Sequence, residues 1–78
     1  MPNYKMDING QLGLSEYSNI FDYMNVVDSK DSFTITLDNA EGENISIITS
    51  MLKDSNFSIL NEGIDDRGKY YINANKQE

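Results

Sequence analysis

The sequence has no cysteine, histidine or tryptophan, and it has a single proline among 78 residues. Without cysteine there is no disulfide and no thiolate nucleophile, and without histidine there is no imidazole base. A zinc site built from cysteine and histidine is excluded for the same reason. Acid–base chemistry would depend on Asp, Glu, Lys or Tyr alone, in a chain with little room for a pocket of several hundred Å³. The composition therefore predicts a protein that is not an enzyme.

Long apolar runs are also missing. No stretch approaches the roughly 18 apolar residues of a membrane span. The first residues are followed closely by Asp7 and Asn9, so the apolar region of a signal peptide is not seen. We expect a cytoplasmic protein without membrane contact.

Motifs for metals and phosphates are not found either. A calcium loop starting at Asp7 would need Gly at its sixth position and Glu at its twelfth, where Leu12 and Ser18 stand. The five glycines form neither a dinucleotide-binding motif nor a P-loop. We therefore expect no cofactor and no required metal.

Basic residues are scarce, because 13 acids face six bases and leave a net charge of −7. Direct nucleic-acid binding is disfavoured, since phosphate contacts need clustered Lys and Arg, and only Lys5, Arg67 and Lys69 could gather near Tyr71. The same charge allows an acidic mimic of nucleic acid that occupies a basic groove. It also falls within the range of about 2–8 that keeps small domains soluble.

The residue usage suggests a source. Residues with AT-rich codons (Phe, Tyr, Met, Ile, Asn, Lys) number 36, against nine with GC-rich codons (Gly, Ala, Arg, Pro). We infer an AT-rich genome, such as that of a low-GC bacterium or of its prophage or mobile elements.

Hydrophobic periodicity predicts six elements. Alternating apolar and polar residues predict strands over residues 4–9, 33–38, 57–60 and 69–74. Stripes with a 3.6-residue period predict two helices. The first stripe contains Tyr17, Ile20, Phe21, Met24 and Val27, and the second contains Ile45, Ile48, Met51 and Leu52. Ser15 stands where the first helix should have its N-cap, and the second helix is expected over residues 43–55.

The element order β-α-β-α-β-β predicts a single α+β domain over residues 1–78, in a two-layer sandwich. A mixed four-stranded sheet would carry both helices on one face, with the strand order left open. Asp65 and Asp66 are expected in the turn of a final hairpin, where Asp is preferred for its local hydrogen bonds. Residues 75–78 are expected to be a frayed tail.

In this fold, alternation leaves one sheet face uncovered by helices. The candidate interaction face consists of Thr34, Thr36, Lys69 and Tyr71. Most acids lie on helices and loops instead, and the candidate acidic surface consists of Glu41, Glu43, Asp65 and Asp66. A solvated polar sheet face is the simpler interpretation, because such faces are common in antiparallel sheets.

The leading functional hypothesis is a small, non-enzymatic protein-interaction or accessory module. A homodimer through the open face or an exposed edge strand is a variant of it. The alternative is an acidic inhibitor that mimics nucleic acid and binds a basic host protein. A third possibility is a small-ligand-binding domain with a pocket between helices and sheet.

Overall fold

The computed structural model describes residues 3–10, 12–28, 31–38 and 42–77. Its elements follow the order β-α-β-α-β-β, which confirms the predicted α+β class. The elements are β1 (Asn3–Ile8), α1 (Leu14–Val26), β2 (Ser32–Leu37), α2 (Gly42–Asp54), β3 (Phe57–Ile64) and β4 (Tyr70–Lys76).

The strands form one mixed four-stranded sheet in the order β1-β2-β4-β3. β1 and β2 are parallel, whereas β4 runs antiparallel to both β2 and β3. β1, β2 and β3 therefore all finish at the same end of the sheet. This order, which periodicity leaves open, makes β1 and β3 the edge strands.

The helices connect strands by two crossovers, β1–α1–β2 and β2–α2–β3, which step in the same direction across the sheet. Right-handed crossovers that step in one direction place their helices on one face. The burial agrees, since one core cluster joins buried side chains of both helices with alternate residues of the strands. The direction of the crossovers and the shared core are both features that the predicted two-layer arrangement requires.

The core is centred on β2, where Phe33 is fully buried. Its ring stacks on Tyr23 of α1, with centroids 5.3 Å apart, and packs against Phe57 of β3 at 6.2 Å. Tyr23 in turn meets Tyr4 of β1 edge-on at 6.1 Å. A continuous series of rings thus links both edge strands to α1.

The start of α1 differs from the prediction. The helix begins at Leu14 with Gly13 as its N-cap, so the prediction of Ser15 as the N-cap is wrong. The Gly13 N–H donates a hydrogen bond to Glu16 Oε1 at 2.6 Å, which is the half of a capping box that the third helical residue supplies. The predicted apolar stripe was also too wide, because Phe21 is 52% exposed.

The final hairpin is longer than predicted. β3 continues to Ile64 although Asn61, Glu62 and Gly63 have low strand propensity, because each pairs with β4. β4 continues to Lys76, so the expected frayed tail is wrong for residues 75 and 76. The Gln77 N–H also donates to the Asn56 carbonyl at 2.8 Å, while residue 78 lies outside the described residues.

Candidate interaction surfaces

The open sheet face consists of side chains arranged in rows across the strands. One row joins Lys5, Thr34, Asn73 and Asn61, and the next joins Asp7, Thr36, Tyr71 and Gly63. The strand register thus brings Thr34, Thr36 and Tyr71 of the candidate interaction face together.

The polar groups of this face bond to one another. The Thr34 hydroxyl donates to Asn73 Oδ1 at 3.1 Å, and the Thr36 hydroxyl donates to Asp7 Oδ1. Thr36 is only 3% exposed. Hydroxyls that already have partners within the sheet offer little new bonding to a ligand.

Tyr71 lies along the sheet rather than away from it. A Cβ atom placed on Gly63 would meet the Tyr71 ring at 3.5 and 3.6 Å and its hydroxyl oxygen at 3.4 Å. An aromatic ring that covers a cross-strand glycine supplies the packing that the glycine lacks. The position predicted as a contact residue therefore has a structural role in the sheet.

Lys69, the fourth residue of the candidate interaction face, lies immediately before β4. Its Nζ forms an ion pair with Asp38 Oδ1 at 3.2 Å and donates to Asn9 Oδ1 at 3.3 Å. These contacts hold Lys69 at the end of the sheet, away from the row that contains Thr34.

Several of the basic residues lower the pKa of Asp7. The hydrogen bond from Thr36 lowers the pKa of Asp7, against a smaller rise caused by desolvation. The charges of Lys5, Lys69 and Arg67 lower this pKa further. All three bases identified in the sequence thus act on the carboxylate of Asp7 through their charge.

The hairpin turn accounts for part of the candidate acidic surface. Asp65 Oδ1 accepts hydrogen bonds from the backbone N–H groups of Arg67 at 2.9 Å and Lys69 at 3.0 Å, and these bonds lower the pKa of Asp65. Its Oδ2 pairs with the Arg67 guanidinium at 3.3 Å. Asp65 thus organises the turn, whereas Asp66 is exposed beside it.

Glu43 is exposed in the first turn of α2, which starts at the end of the sheet where β2 and β3 finish. Glu43 and Asp66 therefore lie at one end of the molecule. Glu41 lies outside the described residues.

A surface that the sequence interpretation missed lies between the helices. Leu14, Tyr17 and Phe21 follow at i, i+3 and i+7 on one side of α1, and Asn44, Ile47 and Met51 do the same on α2. The Tyr17 hydroxyl donates to Asn44 Oδ1 at 3.4 Å, so these two sides adjoin. We call the apolar members of both sides the inter-helix patch: Leu14, Tyr17, Phe21, Ile47 and Met51.

Three members of the inter-helix patch are open to water, whereas Tyr17 and Met51 are half-buried against the core. Leu14 is 87% exposed, Phe21 52% and Ile47 39%. Asp22, Glu43 and Asp54 are exposed on the same two helices, and α1 contains no basic residue. Leu14 and Phe21 are seven residues apart in the sequence, which indicates one side of a helix, but the spacing of Phe21 also fits the core stripe.

Two clefts accompany these surfaces. One of about 630 Å³ lies between α2 and β3, and its lining includes Ile45, Thr49 and Phe57. Another of about 440 Å³ lies beside the hairpin turn, next to Tyr71 and Arg67.

Within the described part of the chain, no group of three or more acidic side chains is placed to hold a metal ion. Neither described helix is long and apolar enough to cross a bilayer. Comparisons of this chain with protein-family models, curated proteins and solved structures found no match.

Proposed function

We propose that this chain is a small, non-enzymatic protein-interaction module of the cytoplasm and that it binds its partner through the inter-helix patch. The observation that supports this is the joint exposure of Leu14, Phe21 and Ile47 on two adjoining helices. Apolar side chains that are grouped at the surface and rimmed by polar residues are typical of protein-binding sites. Phe21 is the expected anchor, since aromatic residues dominate binding energies.

The charges on the two helices indicate the chemistry of the partner. Asp22, Glu43 and Asp54 are negative, and Lys53 is the one basic residue within the two helices. A partner with an apolar centre and a basic rim would match both features. The acids would then accelerate association and select the partner, while the apolar contact would supply most of the affinity.

The inter-helix patch supports this function better than the open sheet face does. On the sheet, Thr34 and Thr36 already donate to side chains of neighbouring strands, and Tyr71 covers Gly63. A partner bound there would have to replace existing bonds, whereas burying Phe21 removes apolar surface from water directly.

The test uses a photoreactive amino acid at position 21 or at position 26, in lysate of a low-GC bacterium. Val26 is the matched control, because it is 60% exposed on the same helix but lies five residues, and therefore about 140°, around the helix from Phe21. We expect a discrete cross-linked protein from position 21 and none from position 26. The purified partner should bind the Phe21→Gln variant at least tenfold more weakly, because truncating an anchor costs more than about 1.4 kcal/mol. The Val26→Gln variant should bind as the unmodified chain does.

Three outcomes would contradict the proposal. Equal cross-linking from positions 21 and 26 would remove the patch as the contact surface. A complex that is insensitive to Phe21→Gln and dissociates in high salt would favour an acidic mimic of nucleic acid, which binds by charge. A complex that is lost in Tyr71→Ala, while that variant remains folded, would restore the open sheet face as the binding surface.

A further inference from the structure

β3 is an edge strand with solvent-exposed apolar side chains. It pairs with β4 on one side, and at eight residues it is longer than the other strands of the described sheet. Leu60 is 54% exposed and Ile64 is 66% exposed. An extended edge with exposed apolar side chains favours pairing with a further strand.

A bulge divides this edge into two straight segments. The pairing with β4 is irregular between Ile59 and Asn61, so Leu60 is the extra residue. Ile59 lies opposite the buried Ala74, and Glu62 lies opposite the buried Ile72. Residues on both sides of the bulge, three positions apart, therefore share the helix-covered face of the sheet.

We propose that two copies of this chain associate through β3, paired antiparallel across a two-fold axis at the bulge. Residues 57–59 of each copy would then pair with residues 62–64 of the other, joining the two sheets into one. In this register Phe57 lies opposite Ile64 of the second copy, and Ile59 lies opposite its Glu62. All four of these residues lie on the helix-covered face because of the bulge. In a strand without the bulge, the two residues of each pair would lie on opposite faces of the sheet.

The cleft between α2 and β3 lies where the second copy's side chains would enter. It has a volume of about 630 Å³, and Ile45, Thr49 and Lys53 line it from the helix. Phe57, Ile59 and Glu62 line it from the strand. Exposed Ile64 of the second copy would thus be placed beside Phe57, which removes the apolar surface of Ile64 from water.

Charge complementarity favours a second copy as the occupant. α2 leads into β3 through a two-residue turn, so Lys53 lies near the first residues of β3. Glu62 lies beyond the bulge and lines the same cleft as Lys53 of its own chain. The two-fold axis brings Glu62 of each copy towards Lys53 of the other, and symmetry repeats this pair. These two local pairs offset part of the repulsion between chains that each carry −7.

This inference goes beyond the proposed function, because the inter-helix patch and its partner take no part in the β3 contact. The partner binding and the self-association can therefore be tested independently. Changes at Phe21 should leave the self-association unaltered, and changes at Lys53 or Glu62 should leave the cross-link from position 21 unaltered.

The experiment is sedimentation equilibrium of the purified chain from micromolar to millimolar concentration. We expect a monomer–dimer equilibrium. Lys53→Glu and Glu62→Lys should each weaken the dimer at least tenfold, because each creates two like-charge contacts in the symmetric interface. The double variant K53E/E62K should recover the dimer, since the pairs are re-formed with reversed signs.

Lys5→Glu is the matched control. It changes the net charge by the same amount as Lys53→Glu but lies on β1, at the opposite edge of the sheet, so it should weaken the dimer much less. Glu62→Lys is the sharper test, because it lowers the net negative charge and would strengthen any association limited by overall repulsion. Circular dichroism checks that each variant is folded, in particular Glu62→Lys, which removes the acceptor of the Tyr70 hydroxyl.

The proposal is overturned if the unmodified chain is monomeric throughout this concentration range. It is also overturned if the dimer tolerates both single charge reversals, or if the double variant fails to recover the dimer while remaining folded.

Discussion

The contact between Tyr71 and Gly63 leads to a prediction about the stability of the Gly63→Ala variant. A few tenths of an ångström between the new methyl and the Tyr71 ring decide whether the substitution stabilises or destabilises the protein. Gly63 lies within β3, and its φ is not positive, so alanine can adopt its backbone conformation. The new methyl would meet Tyr71 at 3.4–3.6 Å, which is ordinary van der Waals contact. We therefore expect Gly63→Ala to stabilise the protein.

The magnitude of the stabilisation follows from the conformational freedom of the unfolded chain. Replacing a glycine without strain stabilises a protein by about 0.4–1 kcal/mol, because the unfolded chain loses conformational freedom. In a domain of this size, 1 kcal/mol raises Tm by about 4–8 °C. Gly63→Ala should therefore raise Tm by roughly 2–8 °C in thermal unfolding followed by circular dichroism.

Gly68→Ala is the control in the same hairpin. A Cβ there meets nothing within 4 Å, but the residue has a φ of +80°, so the change should cost about 1–2 kcal/mol through backbone strain alone. If Gly63→Ala lowers Tm as much as Gly68→Ala does, the Tyr71 ring leaves no room for the methyl, and the reasoning about this contact is refuted.

Two further predictions concern titrating groups of the hairpin. The pKa of Asp65 is lowered from 3.8 by hydrogen bonds from Lys69 and Arg67, so its stabilisation is complete above that value and disappears as the pH falls through the lower folded-state pKa. Asp65→Asn should lower the free energy of unfolding at neutral pH, measured by urea titration. It should also make this free energy fall less steeply as the pH is lowered, and an unchanged pH dependence would contradict the reasoning. The hydrogen bond to Glu62 raises the pKa of Tyr70 from 10.0 to about 12, so that stabilisation is present below pH 10 and is lost as the pH rises towards 12. Tyr70→Phe should remove the most alkaline step from an ultraviolet titration of the tyrosines, and its persistence would argue against the assignment.

Local patterning predicted the elements well where burial follows a simple period. Phe33, Ile35 and Leu37 alternate with polar residues, and all three are buried in β2. The pattern failed at element ends, since Gly13 rather than Ser15 caps α1. Capping depends on which side chain reaches a free N–H, and the Glu16 carboxylate reaches the N–H of Gly13.

The candidate sites were predicted only in part. Period-two alternation correctly placed Thr34, Thr36 and Tyr71 on one sheet face, because side-chain direction in a strand is a local property. It did not show that Tyr71 lies over Gly63, since that contact depends on the pairing of β3 with β4. For a similar reason the inter-helix patch was missed, because the exposure of Phe21 depends on how α1 lies against α2 and the sheet.

The sequence by itself determined the class of fold, the hairpin turn and the exclusion of cysteine and histidine chemistry, because each of these depends on residue type or on local spacing. Only the tertiary structure decided the strand order, which makes β3 an edge, and the neighbours of each surface side chain. Strand order and contacts between elements arise from burial that is shared among distant segments, which no local window of sequence contains. Three of the acids, Asp22, Glu43 and Asp54, are exposed on the two helices that carry the inter-helix patch, and polar side chains of the open sheet face bond to one another.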